Sequence, residues 1–214
     1  MQGKLPHFLF VLFQKFIMEN FWNDRYAGEE YVYGTAPNAF FKQELEKLSP
    51  GRILLPGEGE GRNAVFAASR GWEVSAFDSS GEGKRKAEKL ASLNNVRIDY
   101  RLSAYEDFQA EPESYDCIAF IYTHMPSSKR KEYHQKLTAS LKAGGILILE
   151  CFSKKQIHYN TGGPKDADML FSGEELQKDF GNFTRLSVTE TEIEADEGPF
   201  HRGTAAVIRV HAIK

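Results

Sequence analysis

The sequence predicts an α/β protein, a mostly parallel sheet with helices on both faces and an antiparallel end. Three observations predict it. Short apolar runs alternate with helical patterns from residue 38 to residue 152, an order that right-handed crossovers turn into parallel strands. The first run enters a glycine-rich turn, Gly57-Glu58-Gly59-Glu60-Gly61, that opens directly into an amphipathic segment. Two long strand-like runs close the chain, joined by a hairpin-sized connection.

Each element has a local reason. Ala39 to Leu48 reads as a helix, with Pro37 and Asn38 at its start and Pro50-Gly51 behind it. Arg52 to Pro56 is a short buried strand, Arg62 to Arg70 a helix stopped by Gly71, and Glu73 to Phe77 a second strand. Gly83 to Leu93 is a Lys/Glu-rich helix facing inward through Ala87, Leu90 and Ala91. Val96 to Leu102 and Tyr115 to Tyr122 are the third and fourth strands, the latter apolar on both faces. Ser127 to Leu141 is a helix ended by Ala143-Gly144-Gly145, and Ile146 to Phe152 is the fifth strand. An irregular stretch, 153–170, precedes a short helix, Ser172 to Phe180. Phe183 to Ala195 and Gly203 to Ile213 are the last strands. Glu190, Glu192 and Glu194 stand two apart in the first of these and share its solvated face.

The 214 residues suit one domain with a full core, and neither a repeat nor a low-complexity linker divides them, so a single domain is expected over 19–214. A net charge of −3 argues against nucleic acid as an electrostatic partner. The basic runs Lys84-Arg85-Lys86 and Lys129-Arg130-Lys131 read as solvated helix faces. Residues 1–18 are apolar from Phe8 to Phe13, too short a run to span a bilayer and without a small-residue cleavage site. They read as an amphipathic helix through Leu9, Leu12, Phe13, Phe16 and Ile17, packed on the body or on a second subunit of a homodimer. The competing reading is an extension upstream of a start at Met18. Cys117 and Cys151 lie in strand-like runs and are expected to be reduced and buried, in keeping with a cytoplasmic setting. The six histidines are scattered without H-E-x-x-H or paired C-x-x-C, so no metal is expected.

Gly57, Gly59 and Gly61 let backbone approach a ligand, and Asp78, closing the second strand, offers two oxygens to ribose hydroxyls. Three ligands compete for such a turn. A nucleoside triphosphate calls for a Gly-Lys-Ser/Thr ending, which is absent. A dinucleotide calls for G-x-G-x-x-G, but position 62 is Arg, and Glu58 and Glu60 flank Gly59. Each carboxylate close to a phosphate costs on the order of 1 kcal/mol. S-adenosylmethionine has no phosphate and carries a sulfonium cation, so it fits best. A nicotinamide oxidoreductase is disfavoured on the same grounds.

With these residues placed, the chain resembles the class I S-adenosylmethionine-dependent methyltransferases. It is most similar to the small bacterial group around the tellurite-resistance protein TehB. The likeness spans about residues 20–214. It rests on Phe21-Trp22-Asn23-Asp24-Arg25-Tyr26, Tyr33-Gly34-Thr35-Ala36-Pro37-Asn38, the turn from Gly57 to Asn63, Asp78, Tyr115-Asp116 and Leu141-Lys142-Ala143-Gly144-Gly145. The resemblance implies a Rossmann-like, three-layer αβα fold with a seven-stranded sheet and an antiparallel last strand. It implies S-adenosyl-L-methionine over Trp22, Tyr33, Gly57, Glu58, Gly59, Arg62, Asn63, Asp78, Ser79, Ala104, Tyr105 and Ile121. The implied activity is methyl transfer to a small-molecule acceptor above the fourth and fifth strands. Two departures stand out. Leu55-Pro56 replaces the acid usual at the end of the first strand, and Ala104-Tyr105 stands where an adenine-reading Asp is common. They motivate an alternative, a module that binds the cofactor without transferring its methyl group.

Methyl transfer from a sulfonium needs alignment and desolvation more than a dyad. The residues that carry it are expected just past strand ends. After the fourth strand, His124 would orient or deprotonate an acceptor and Tyr122 would wall the pocket. After the fifth, the long 153–170 stretch reads as an acceptor-side lid with His158 and Tyr159. His201, in the final hairpin, would reach the same mouth. The aromatic Trp22, Tyr26, Tyr31 and Tyr33 would fold over the cofactor.

Overall fold

The computed structural model describes residues 20–214. The readings of residues 1–18, an amphipathic helix or an upstream extension before Met18, lie outside the described residues. The described chain opens with a helical segment, α1, at residues 20–26. Then follow α2 (Ala39–Leu45), β1 (Arg52–Pro56), α3 (Arg62–Ser69), β2 (Glu73–Asp78), α4 (Gly81–Leu93), β3 (Asp99–Leu102), β4 (Tyr115–Ile121), α5 (Ser127–Thr138) and β5 (Leu141–Phe152). After two 3₁₀ turns, α6 (Gly173–Asp179), β6 (Arg185–Asp196) and β7 (Arg202–Ile213) complete the chain.

The strands form one seven-stranded sheet in the order β3-β2-β1-β4-β5-β7-β6. β1 to β5 pair in parallel, and β7 lies antiparallel between β5 and β6. This is the expected Rossmann-like, three-layer arrangement with its antiparallel last strand. Alternation along β1 feeds both layers: Ile53 and Leu55 pack with Phe41 and Leu45 on one face, while Leu54 packs with Phe77 and Phe120 on the other. From β1 the chain runs outward through β2 and β3, then returns to β4 on the opposite side. The loops leaving β1 and β4 therefore diverge and leave a crevice at the carboxyl ends of the strands.

Caps set the helix starts. Ser80 opens α4 by accepting from Gly83 N (3.0 Å), and Ser172 with Glu175 forms a capping box on α6. β3 is shorter than expected. β5 begins earlier because Leu141 already pairs with Tyr115.

The solvated reading of the two basic runs is corrected at one residue of each. Lys86 is buried, pairs with Glu60 (2.5 Å) and donates to the carbonyls of Tyr26, Gly28 and Glu30. Arg130 is buried, pairs with Glu175 (3.1 Å), donates to Asp168 O and lies over the Phe171 ring. In each case one cation of three points inward to collect backbone carbonyls that would otherwise be unpaired. Glu190, Glu192 and Glu194 are exposed, and Cys117 and Cys151 are free and buried. No helix among the described residues is long and apolar enough to cross a membrane.

Candidate active site

The three glycines of the turn divide their work. All have positive φ: +61° at Gly57, +61° at Gly59 and +87° at Gly61. A Cβ on Gly61 would stand 2.5 Å from Ala87 Cβ, so this glycine lets α3 and α4 touch. A Cβ on Gly59 would meet Tyr26 Oη at 2.6 Å, so this one admits α1. Gly57 lies in the wall of a cavity of about 390 Å³, beneath Tyr105.

The two glutamates border that cavity, but their charges are met inside the protein. Glu58 Oε1 accepts from Asn63 N (2.8 Å) and Ala64 N (2.7 Å), so its carboxylate fills the N-terminus of its own helix α3. Burial pushes its carboxyl up to about 7 against those bonds. Glu60 pairs with Lys86 and accepts from Val32 N (2.8 Å), tying the segment after α1 to α4. The expectation that this pair would meet a ligand cation is corrected. A pyrophosphate is still disfavoured, for a different reason: the helix terminus that would bind it holds Glu58.

Asp78 ends β2 in the same wall. Its carboxylate accepts from Gly59 N (3.0 Å) and Ser80 N (2.8 Å), one bond to each oxygen. Each oxygen keeps acceptor capacity for a further donor, as two ribose hydroxyls require. Burial lifts its pKa to about 6. Ser80, not Asp78, caps α4. At the far end, the hydroxyls of Tyr105 and Thr123 are buried side by side and interact with each other. One face of Tyr105 is stacked on Tyr133 (5.5 Å). A cavity with a paired-acceptor acid and a Cβ-free floor at Gly57 fits a nucleoside.

Trp22, Tyr33, Arg62, Asn63, Ser79, Ala104 and Ile121 also line this cavity, as do Tyr122 and His124; Gly59 does not. Arg62 is turned to structure: it donates to Tyr33 O (3.1 Å) and pairs with Glu197 (2.8 Å). Phe77, Met125, Pro126 and Lys129 line it without any sequence signal that separates them from ordinary loop or core residues.

A second cavity, about 540 Å³, lies beyond a neck of Trp22, Tyr33, His124, Met169 and His201, which line both. The Asn160–Asp166 loop, Pro199 and Phe200 form its far wall. That loop is packed in place. A Cβ on Gly162 would stand 2.6 Å from Phe200 O, and one on Gly163 would stand 2.7 Å from the Phe152 ring. Gln156 Nε2 donates to Gly162 O (3.0 Å). His158 is exposed and Tyr159 donates to Glu192 (2.6 Å); neither lines a cavity, and later residues of the stretch, Asn160–Asp166, do.

His124 is half-buried with its ring parallel to Trp22 (6.5 Å) and Phe152 (6.0 Å), and its Nδ1 is buried without a hydrogen-bond partner. Burial, with His201 and Arg130 nearby, drops its pKa to about 3, so the imidazole is neutral at physiological pH. His201 packs on Tyr33 (4.4 Å) and Tyr122 (4.6 Å), and burial lowers its pKa too. Tyr122 holds φ +51° and donates to Glu150 Oε1 (3.1 Å). Glu150, wholly buried on β5, also accepts from Asn38 Nδ2 and Arg209 Nε, both at 2.6 Å. Asn38 reaches on to Glu197 (2.8 Å), so the floor, α2 and the β6–β7 hairpin share one polar network.

Residues 53–145 match a sequence family described as a methyltransferase domain. A ubiquinone biosynthesis O-methyltransferase of Rickettsia akari is 27% identical over 124 residues, 58% of this chain and 48% of that protein. A probable thiol methyltransferase 2 of Arabidopsis thaliana is 32% identical over 156 residues, 70% of this chain and 66% of that protein. The matches to the first curated relatives span about half their length or less, 48% and 43%. Among solved structures, TehB from Haemophilus influenzae superposes with a TM-score of 0.66 at 17% identity, covering 92% of this chain and 66% of that one. By sequence and by fold, the chain belongs to the class I S-adenosylmethionine-dependent methyltransferases.

Proposed function

We propose that the protein transfers a methyl group from S-adenosyl-L-methionine to a small-molecule acceptor bound in the second cavity. The observation that carries this reading is the pair of cavities meeting at one aromatic neck. The first has nucleoside chemistry, and the second is walled by a packed loop that suits a small acceptor better than a protein surface.

When bound, S-adenosylmethionine would supply a methyl group already activated by its sulfonium, with the sulfur as the leaving group that would keep the electron pair. The chain's residues supply alignment and dryness. Asp78 holds the ribose, and Gly57, Ala104, Tyr105 and Ile121 frame the nucleoside. Trp22 and Tyr33 stand at the neck, where an aromatic face stabilises a cation by roughly 1 kcal/mol or more once desolvated. His124, neutral and clamped between two rings, orients the acceptor heteroatom through Nδ1. With a pKa near 3 it is too weak a base to draw a proton from a neutral alcohol or amine. The acceptor is then a heteroatom that is nucleophilic in its resting state, and its proton leaves to solvent.

Titration calorimetry tests the reading. S-adenosylmethionine and S-adenosylhomocysteine bind and NAD gives no heat. Asp78→Ala weakens the sulfur nucleosides about tenfold or more, the loss of two charge-assisted hydrogen bonds. Absence of heat with both sulfur nucleosides would sink the proposal. Binding without turnover over a broad acceptor panel would give the module reading.

A further inference from the structure

The second cavity has a charge that the reading above does not use. Arg25 lines it, and its guanidinium lies 4.7 Å from the Phe200 ring centroid and 5.2 Å from that of Phe21. Both rings are about half exposed, 49% and 48%, so they form an apolar rim around a cation. Arg25 hydrogen-bonds the Tyr33 side chain and is close enough to His201 to act on its charge, which sets it beside the neck.

The other charges at this cavity are occupied. Lys165 Nζ donates to Tyr159 O and Asn160 Oδ1 within its own loop. Arg202 faces Asp196 (3.4 Å) in an exposed pair. Asp166 accepts from Asp168 N in its own 3₁₀ turn. Among the described residues, Arg25 has no carboxylate partner. A guanidinium has five donors in a planar fork that matches a carboxylate with two parallel bonds. A single phenol leaves most of that fork unmet.

We infer that the second cavity takes an organic anion: a molecule with a flat apolar body against Phe200, Met169 and Pro164 and a carboxylate, or an acid of like geometry, on Arg25. This rests on the two-cavity reading of the proposed function and narrows its acceptor to a class. Arg25 acts as a specificity residue. It selects the charged member of a neutral–anionic pair and sets which end of the acceptor enters the neck. The two rings hold its side chain ordered before the ligand arrives, so little entropy is lost when the fork closes.

The probes are benzoate, 4-hydroxybenzoate and 3-phenylpropionate with their carboxamides, titrated into full-length protein saturated with S-adenosylhomocysteine. At least one acid should bind about tenfold tighter than its amide, the gain of a charge-assisted fork. In Arg25→Gln the preference should shrink to within about twofold, while in Arg25→Lys, which keeps the charge and loses the fork, it should weaken but stay above that of Arg25→Gln. Arg202→Gln should keep the wild-type preference. Equal binding of acids and amides, no binding of any acid, or a preference that survives Arg25→Gln would overturn the inference. The affinity for S-adenosylhomocysteine is read in the same titrations. Its loss in the wild type would break the methyltransferase reading, whereas its retention without an acid preference would break only this one.

Discussion

At the level of single side chains, Glu58 shows how a charge can serve the fold at the edge of a ligand cavity. It accepts two amide bonds at the start of α3, yet burial lifts its pKa from the usual carboxylate range to about 7. The folded state therefore holds a proton that the unfolded chain has released once pH rises above about 4.5. Stability from this group is highest below that pH and falls until the folded carboxyl itself ionises near 7. Glu58→Gln keeps an Oε1 acceptor for both amides and has no proton to lose. The stability of the wild type relative to this variant should fall by on the order of 3 kcal/mol between pH 4.5 and pH 7.5. Urea unfolding of the two proteins at both pH values measures it; a pH-independent difference would show that Glu58 ionises normally in the fold. Glu197 has the opposite balance. Burial alone would raise it, but hydrogen bonding from His201 and the Arg62 guanidinium hold it near 2, so it is charged wherever the protein is folded near neutrality. These assignments were invisible in the sequence, where Glu58 and Glu60 read as a matched acidic pair. One meets helix amides and the other meets Lys86, a residue twenty-six positions away in sequence.

At the level of elements, the segment between α1 and α2 depends on a helix that it does not contact in sequence. Lys86 of α4 donates to three of its carbonyls and pairs with Glu60, which in turn accepts from Val32 N. Lys86→Met removes one half of a buried ion pair and leaves Glu60 without its counter-charge and three carbonyls without their donor, a loss of about 3–5 kcal/mol. Chemical denaturation should register this drop, and limited proteolysis should cut residues 27–35 faster than in the wild type. The affinity for S-adenosylmethionine should fall with it, because Trp22 lies just before that segment and Tyr33 within it, and both line the cavity. Cleavage at an unchanged rate would mean that Lys86 is not the tether. The strands and helices themselves were largely legible, since β1, β2, β4 and the final hairpin follow apolar periodicity and turn chemistry. β3 was overextended and β5 was started late, because strand ends follow pairing partners that periodicity does not encode.

For the whole molecule, the first cavity is assembled from α1, the β1, β2 and β4 ends, the loop after β3 and the β6–β7 hairpin. A ligand that bridges so many elements should stabilise the native state as a unit. S-adenosylhomocysteine at about a hundred times its Kd should raise the Tm by about 5–10 °C, and NAD should leave it unchanged. Differential scanning fluorimetry reads both; a matching shift with NAD would remove the argument from Glu58 and the α3 terminus.

The sequence by itself determined the layer order, the antiparallel end of the sheet, the turn at Gly57–Gly61 and the acid at Asp78. These depend on local periodicity, on positive-φ positions and on the spacing of one βαβ unit, all of which are written in contiguous residues. Tertiary structure decided which glutamates were spent on the fold, that Asn160–Asp166 line the second cavity while His158 and Tyr159 stay outside, and that Arg25 enters that cavity without a carboxylate partner among the described residues. Those outcomes turn on pairing over long sequence separations: burial makes an unmet charge costly, and which partner meets it depends on where distant loops come to rest.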